Sequence, residues 1–371
     1  MRRYDLDWIR IGVFALLILY HIGMFFVSWD WHIKNDTIYT WAEIPMLFVN
    51  QWRLPILFLV SGMGTRFALS KRSLAQFLIE RHNRLLIPLV FGMIVIVAPQ
   101  VYIERIVNGQ FIGSFLDFYP FYFEGAYPTG NFSWHHLWFL PYLFVFSLIL
   151  SPFFIFLRKN PNSKFIHLTG RLFASKLGIF TFLIPLILIL IYIRPHFPVT
   201  HNLVNDWYTF LYHLVYFFYG FLFISIGDIF WNKIKSIKKI ALITGCFSFI
   251  IYLFLVYKEP EIPFFYELAS IAKGLNVGCW IVVTLGYANQ HLSKSGKWRA
   301  YFNQAVYPFY IVHQTIIVIL AYYLYDASIN DAIKFIILLI GTFGGSWLIF
   351  EIVKRTKLTR ILFGIKNIKK S

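Results

Sequence analysis

Arg10 and His21 stand eleven residues apart, close to three helical turns, so on a helix they share one face with an axial offset of about 16 Å. A guanidinium near one end of such a helix can grip an anionic ligand. An imidazole set deeper, away from water, is a neutral base ready to take a proton. Taken singly, Arg10 also suits a side chain that snorkels to lipid headgroups, and His21 suits a hydrogen bond to a neighbouring helix. The pair on one face favours chemistry. A second basic cluster follows in the stretch from Phe77 to Pro88, where Arg81 and Arg84 are helical neighbours with the fork geometry that holds phosphates.

Other polar residues fall where they are expensive. Arg53 and Arg66 lie in the second apolar stretch, His213 in the sixth, Lys273 in the eighth and His313 in the ninth, while His136 opens the fourth. The loop before His135 and His136 is dense in rings, among them Phe118, Tyr119, Phe121, Tyr122, Phe123, Tyr127 and Trp134. An interfacial aromatic belt accounts for these more cheaply than sugar stacking does.

The elements that must position these groups follow from composition. Of 371 residues, 58% are hydrophobic and 14% charged, too apolar for the surface of a water-soluble domain. Ten apolar runs can each cross a hydrocarbon core of about 30 Å as a helix. Their approximate ranges are 9–29, 44–69, 85–103, 136–157, 177–193, 207–230, 240–257, 268–288, 301–325 and 332–353, with a short basic tail at 354–371. The alternation a transmembrane barrel needs is missing, so the fold class is all-α and polytopic, one transmembrane domain. No small-residue cleavage site follows Trp29, and the first span is read as retained.

The net charge of +17 sorts by side: alternate loops and both ends carry 25 Lys and Arg, the opposite loops only Lys34, Arg105, Arg194 and Lys258. The positive-inside rule then sets both termini in the cytoplasm. Nucleic acid is excluded as a partner, since the charge is divided among short loops rather than gathered on one module. Cys246 and Cys279 sit in separate spans without motif spacing, and no metal site or bound cofactor is expected.

In this order, Arg10 with His21, the Arg-Leu-Pro approach to Ser61-Gly62, Arg81 with Arg84, His136-Leu-Trp-Phe-Leu and Tyr307-Pro-Phe-Tyr-Ile-Val-His313 resemble the membrane acyltransferase-3 superfamily, nearest its glucan-biosynthesis succinyltransferase branch. The resemblance runs over nearly the whole chain, without an added span or hydrolase-like domain. It implies transfer of an acyl group, acetyl or succinyl, from cytoplasmic acyl-CoA to a hydroxyl of an envelope carbohydrate or lipid-linked glycan at a bacterial inner membrane. On that basis Arg10, Arg81 and Arg84 are expected to bind acyl-CoA, His21 and Arg10 to form the catalytic pair with His21 as base or as an acylated nucleophile, and Arg53, His136 and His313 to serve the acceptor side or to orient it through hydrogen bonds. Two other classes remain open. A secondary transporter or flippase would also scatter Arg and His through ten spans, and a lipid-linked-sugar glycosyltransferase would use acidic residues of an outer loop, such as Asp30 and Asp36.

Overall fold

The computed structural model describes residues 3–258 and 263–366. Arg2 and the last part of the basic tail lie outside the described residues. The described chain is all-helical, with no strand. Ten of its helices are long and apolar enough to cross a membrane: Tyr4–Gly23, Thr40–Leu69, Leu74–Val107, His135–Lys159, Gly178–His196, Trp207–Ser225, Asp228–Lys258, Phe265–His291, Lys297–Leu324 and Asp331–Val353. They are the first to tenth spans below.

The first span stops at Gly23, although the apolar run continues through Val27. The carbonyls of Tyr20, Ile22 and Gly23 accept from the N–H groups of Met24, Phe25 and Phe26 as the chain turns away, and Lys34 folds back to donate to the carbonyls of Met24 and Val27 at 2.8 and 2.7 Å. Burial pushes the Lys34 ammonium down to about 8, against the opposing pull of Asp30 and Glu43.

The third span is not one uniform helix. Two wide π-type segments, His82–Leu86 and Gly92–Val97, interrupt its α-helical turns. Pro88 and Pro99 lie beside them. Pro88 has no N–H to offer the carbonyl four residues earlier, that of Arg84. The Tyr307 hydroxyl donates to that carbonyl instead, at 2.6 Å.

The chain divides into two compact units. One comprises Met1–Arg10, Phe48–Ile79 and Val145–Arg299. Within it the seventh and eighth spans pack along their lengths. The second and sixth spans meet backbone to backbone: a Cβ on Gly62 would lie 1.9 Å from the Phe217 carbonyl oxygen, and one on Gly220 1.9 Å from that of Leu59. Small residues permit this close crossing where apolar burial alone gives no drive for helices to associate. Arg299, buried at 4% exposure, ion-pairs with Asp7 at the start of the first span.

The other unit comprises Ile11–Leu47, Glu80–Phe144 and Ala300–Ser371. Its core joins Ile18 and Ile22 of the first span and Phe25 of the turn after it to Ile103, Ile317, Val318 and Leu338 of the third, ninth and tenth spans. Lys334 is buried at 3% exposure in the last of these and donates to Asn35 Oδ1 at 2.9 Å.

Candidate active site

Three of the histidines singled out from sequence converge inside the second unit. His313, fully buried on the ninth span, directs Nδ1–H at the carbonyl of Tyr310, 2.8 Å away. That bond leaves His313 Nε2 as an acceptor, and His21 Nδ1 lies 2.8 Å from it. The two rings are parallel to within 8° with centroids 5.0 Å apart, as an in-plane N–H···N bond requires. His21 Nδ1–H therefore donates to His313. The consequence is a fixed tautomer: Nε2 is the unprotonated nitrogen of the His21 ring and carries the lone pair.

His136 completes the group. Its ring stands edge-on to His313, with centroids 5.1 Å apart and planes at 88°. His136 Nε2–H donates to the Ile311 carbonyl at 3.0 Å, and the Tyr310 hydroxyl donates to the His136 carbonyl at 2.6 Å. The fourth and ninth spans thus clasp each other through the two sequence elements that carry these histidines. His136 Nδ1 is buried without a hydrogen-bond partner among the described residues.

The basic pair lies in the same unit. Arg81 ends an α-helical stretch and Arg84 sits in the adjoining π-type segment, both half-buried, with Glu80 3.8 Å from Arg84. The ninth span links this pair to the histidines: Tyr307 holds the Arg84 carbonyl, and His313 follows six residues later, about 9 Å along the helix.

Arg10 and Arg53 belong to the other unit. Arg10 is exposed on the first span, and the continuous helix keeps the three-turn spacing to His21. Arg53 is buried at 3% exposure and donates from Nη2 to Asn50 at 3.2 Å. In the same unit, His201 feels the charges of Asp206 and Arg53, and burial pushes its imidazole down to about 4.

Sequence reasoning missed a third group. His32 Nδ1–H donates to Glu104, and the Tyr127 hydroxyl also hydrogen-bonds that carboxylate. Burial and the Glu104 charge push Tyr127 up to about 12, so it stays a donor. His32 Nε2 faces the Gln314 amide nitrogen at 3.0 Å, which also donates to Gln100 Oε1 at 3.0 Å. Gln100 in turn donates to Thr315 at 2.7 Å, and Thr315 to the Ile96 carbonyl at 2.6 Å. Trp31 stands between His32 and His21, its ring centroid 4.9 Å from the first and 5.4 Å from the second. The usable signal was small: a glutamate just past the end of the third apolar run, and a glutamine directly after His313.

The acyltransferase 3 family, described as an acyltransferase domain, matches residues 3–351. The chain belongs to the acyltransferase-3 family. Its curated relatives include the glucans biosynthesis protein C of Escherichia coli (strain K12) and of Shigella dysenteriae serotype 1 (strain Sd197). Each is 24% identical, with 100% of this chain and 96% of the relative aligned. No solved structure gives a significant match. As a member of the acyltransferase-3 family with ten apolar helices, the chain is a membrane acyltransferase.

Proposed function

We propose that this acyltransferase takes an acetyl or succinyl group from cytoplasmic acyl-CoA and places it on a hydroxyl of an envelope carbohydrate, free or lipid-linked. The observation that carries the reading is the His21–His313–Tyr310 hydrogen-bond chain, which leaves His21 Nε2 as a base. His21 removes the proton of the acceptor hydroxyl as its oxygen attacks the thioester carbonyl. The C–O bond forms, the C–S bond breaks, and the proton passes from the His21 imidazolium to the departing CoA thiolate. His313 steadies the imidazolium by accepting its Nδ1–H, a bond that strengthens as the ring gains charge. His136 orients the pair from the fourth span.

Arg81 and Arg84 are assigned to the CoA phosphates, and Arg10 keeps the donor-binding role its place on the first helix suggests. Arg53 is assigned to the acceptor. Both termini lie in the cytoplasm of a bacterial inner membrane in this reading, supported by the 25-to-4 division of basic residues. The relatives' name, glucans biosynthesis protein, supports a glucan-type acceptor.

The test uses the purified chain in lipid nanodiscs with radiolabelled acyl-CoA and an extracted envelope glycan fraction. His21→Ala is expected to lose about 10²–10⁴-fold in turnover while remaining inserted and folded. Turnover near that of the parent would remove His21 from the mechanism. Comparing envelope glycan masses from cells with and without the protein identifies the acyl group and the acceptor together.

A further inference from the structure

The His32, Glu104 and His135 cluster brings together segments from three parts of the chain, and each offers one ligand atom within 4.8 Å of the others. Two imidazoles and a carboxylate form the donor set of catalytic zinc sites, which keep one position open for water or substrate. A charged pair alone would explain His32 and Glu104 but not His135. Its Nδ1 lies 2.9 Å from Ser133 Oγ, while its Nε2 is buried without a hydrogen-bond partner among the described residues. A buried imidazole nitrogen beside a histidine–glutamate pair is an orphan for packing and a ligand for a cation.

The surroundings support the same conclusion. Metal-binding histidines nearly always use their second nitrogen to donate to a fixed partner, and metal-binding carboxylates are themselves hydrogen-bonded. Here Ser133 Oγ meets the far nitrogen of His135 and Tyr127 meets Glu104, while Gln314 turns its amide nitrogen to the far nitrogen of His32 and must turn its amide over to accept from it. The His32 Nδ1 proton lies against Glu104. Binding shifts that proton to Nε2, and the Gln314–Gln100–Thr315 chain reverses its donor direction to accept it. Ligands about 2 Å from a tetrahedral ion lie about 3.3 Å apart. The wider gaps thus close by up to about 1.5 Å while the His32–Glu104 pair opens, within the reach of χ rotations.

We infer that His32, Glu104 and His135 bind one divalent transition-metal ion, Zn²⁺ by donor type, with an open coordination position. The Trp31 ring stands between this cluster and His21, 4.9 Å from the His32 ring and 5.4 Å from that of His21, so the metal site is separate from the proposed base and its binding does not rest on the acyl-transfer reading.

The full chain in detergent, stripped with a chelator, is titrated with Co²⁺ and followed by visible d–d absorption. One Co²⁺ per chain is expected, displaced by Zn²⁺. His135→Ala and Glu104→Gln are expected to weaken binding by more than the 10–100-fold or so that outer partners such as Ser133 contribute. His21→Ala should bind normally, which separates the metal site from the acyl-transfer chemistry. His135→Cys guards against misfolding, because a sulfur-to-cobalt charge-transfer band absent from the parent spectrum, whose cysteines are Cys246 and Cys279, arises only if residue 135 ligates the ion. An absent Co²⁺ spectrum in the parent chain, unaltered affinity in His135→Ala, or a folded His135→Cys that binds Co²⁺ without that band would each overturn the inference.

Discussion

Replacing His313 tests the proposed base more sharply than replacing His21, since His313 needs to touch neither substrate. Its Nε2 accepts the 2.8 Å bond from His21 and so does two things. In the proposed mechanism it holds His21 in the tautomer with Nε2 unprotonated, and it stabilises the imidazolium formed during acyl transfer. A hydrogen bond to a charged group contributes about 1.5–3 kcal/mol. At roughly 1.36 kcal/mol per decade, its loss in His313→Phe lowers kcat by about 10–160-fold. KM for acyl-CoA should stay within about twofold, since the bond gains strength only as the charge develops. Gln places its amide oxygen near the position of an imidazole Nε2, whereas Asn falls short. His313→Gln is therefore expected to recover much of the rate and His313→Asn little of it. Single-turnover transfer from radiolabelled acyl-CoA separates the chemical step from product release. A folded His313→Phe variant with kcat within twofold of the parent would refute the reasoning, as would equal activity in the Gln and Asn variants.

Three further outcomes follow from the geometry. Gly62→Ala drives a Cβ to 1.9 Å from the Phe217 carbonyl oxygen and should cost about 1–3 kcal/mol, read as a lower unfolding temperature in detergent. Tyr307→Phe strips the Arg84 carbonyl of the donor that replaces the missing N–H of Pro88; KM for acyl-CoA should rise while kcat changes little. His201 titrates near 4 when folded and near 6.5 when unfolded, so its contribution to stability is present above pH 6.5 and lost as pH falls toward 4. The unfolding temperature of the parent chain should then fall more steeply from pH 7 to 5 than that of His201→Gln.

Much of this architecture was legible because membrane helices announce themselves locally. An apolar run long enough to span a bilayer satisfies its own backbone, so ten helices and their order follow from hydropathy. Arg10 and His21 kept their three-turn relation because both lie within one uninterrupted helix. The break after Gly23 was not legible, since the run stays apolar past it and the turn that replaces the helix is held by Lys34 returning from beyond the run. The π-type segments around Arg84 also escaped a reading that assumes 3.6 residues per turn throughout. His32, Glu104, Gln314 and His135 come from four separate segments, and no spacing rule joins them. His313 was visible as a motif residue, yet its service to His21 depends on which nitrogen faces which, and that needs coordinates.

The reciprocal crossing at Gly62 and Gly220 has a consequence for how such chains diverge. A side chain added at either glycine strikes main-chain atoms of the facing helix rather than a side chain. Main chain cannot be trimmed by a second mutation. A bulky substitution there has no suppressor on the opposing surface, and relief requires the helices themselves to part. The two positions should therefore stay glycine independently of each other during sequence drift, instead of exchanging size as paired core residues do. A selection for second-site revertants of Gly62→Val should return substitutions along the crossing that widen it, and few or none at the residues the new side chain touches.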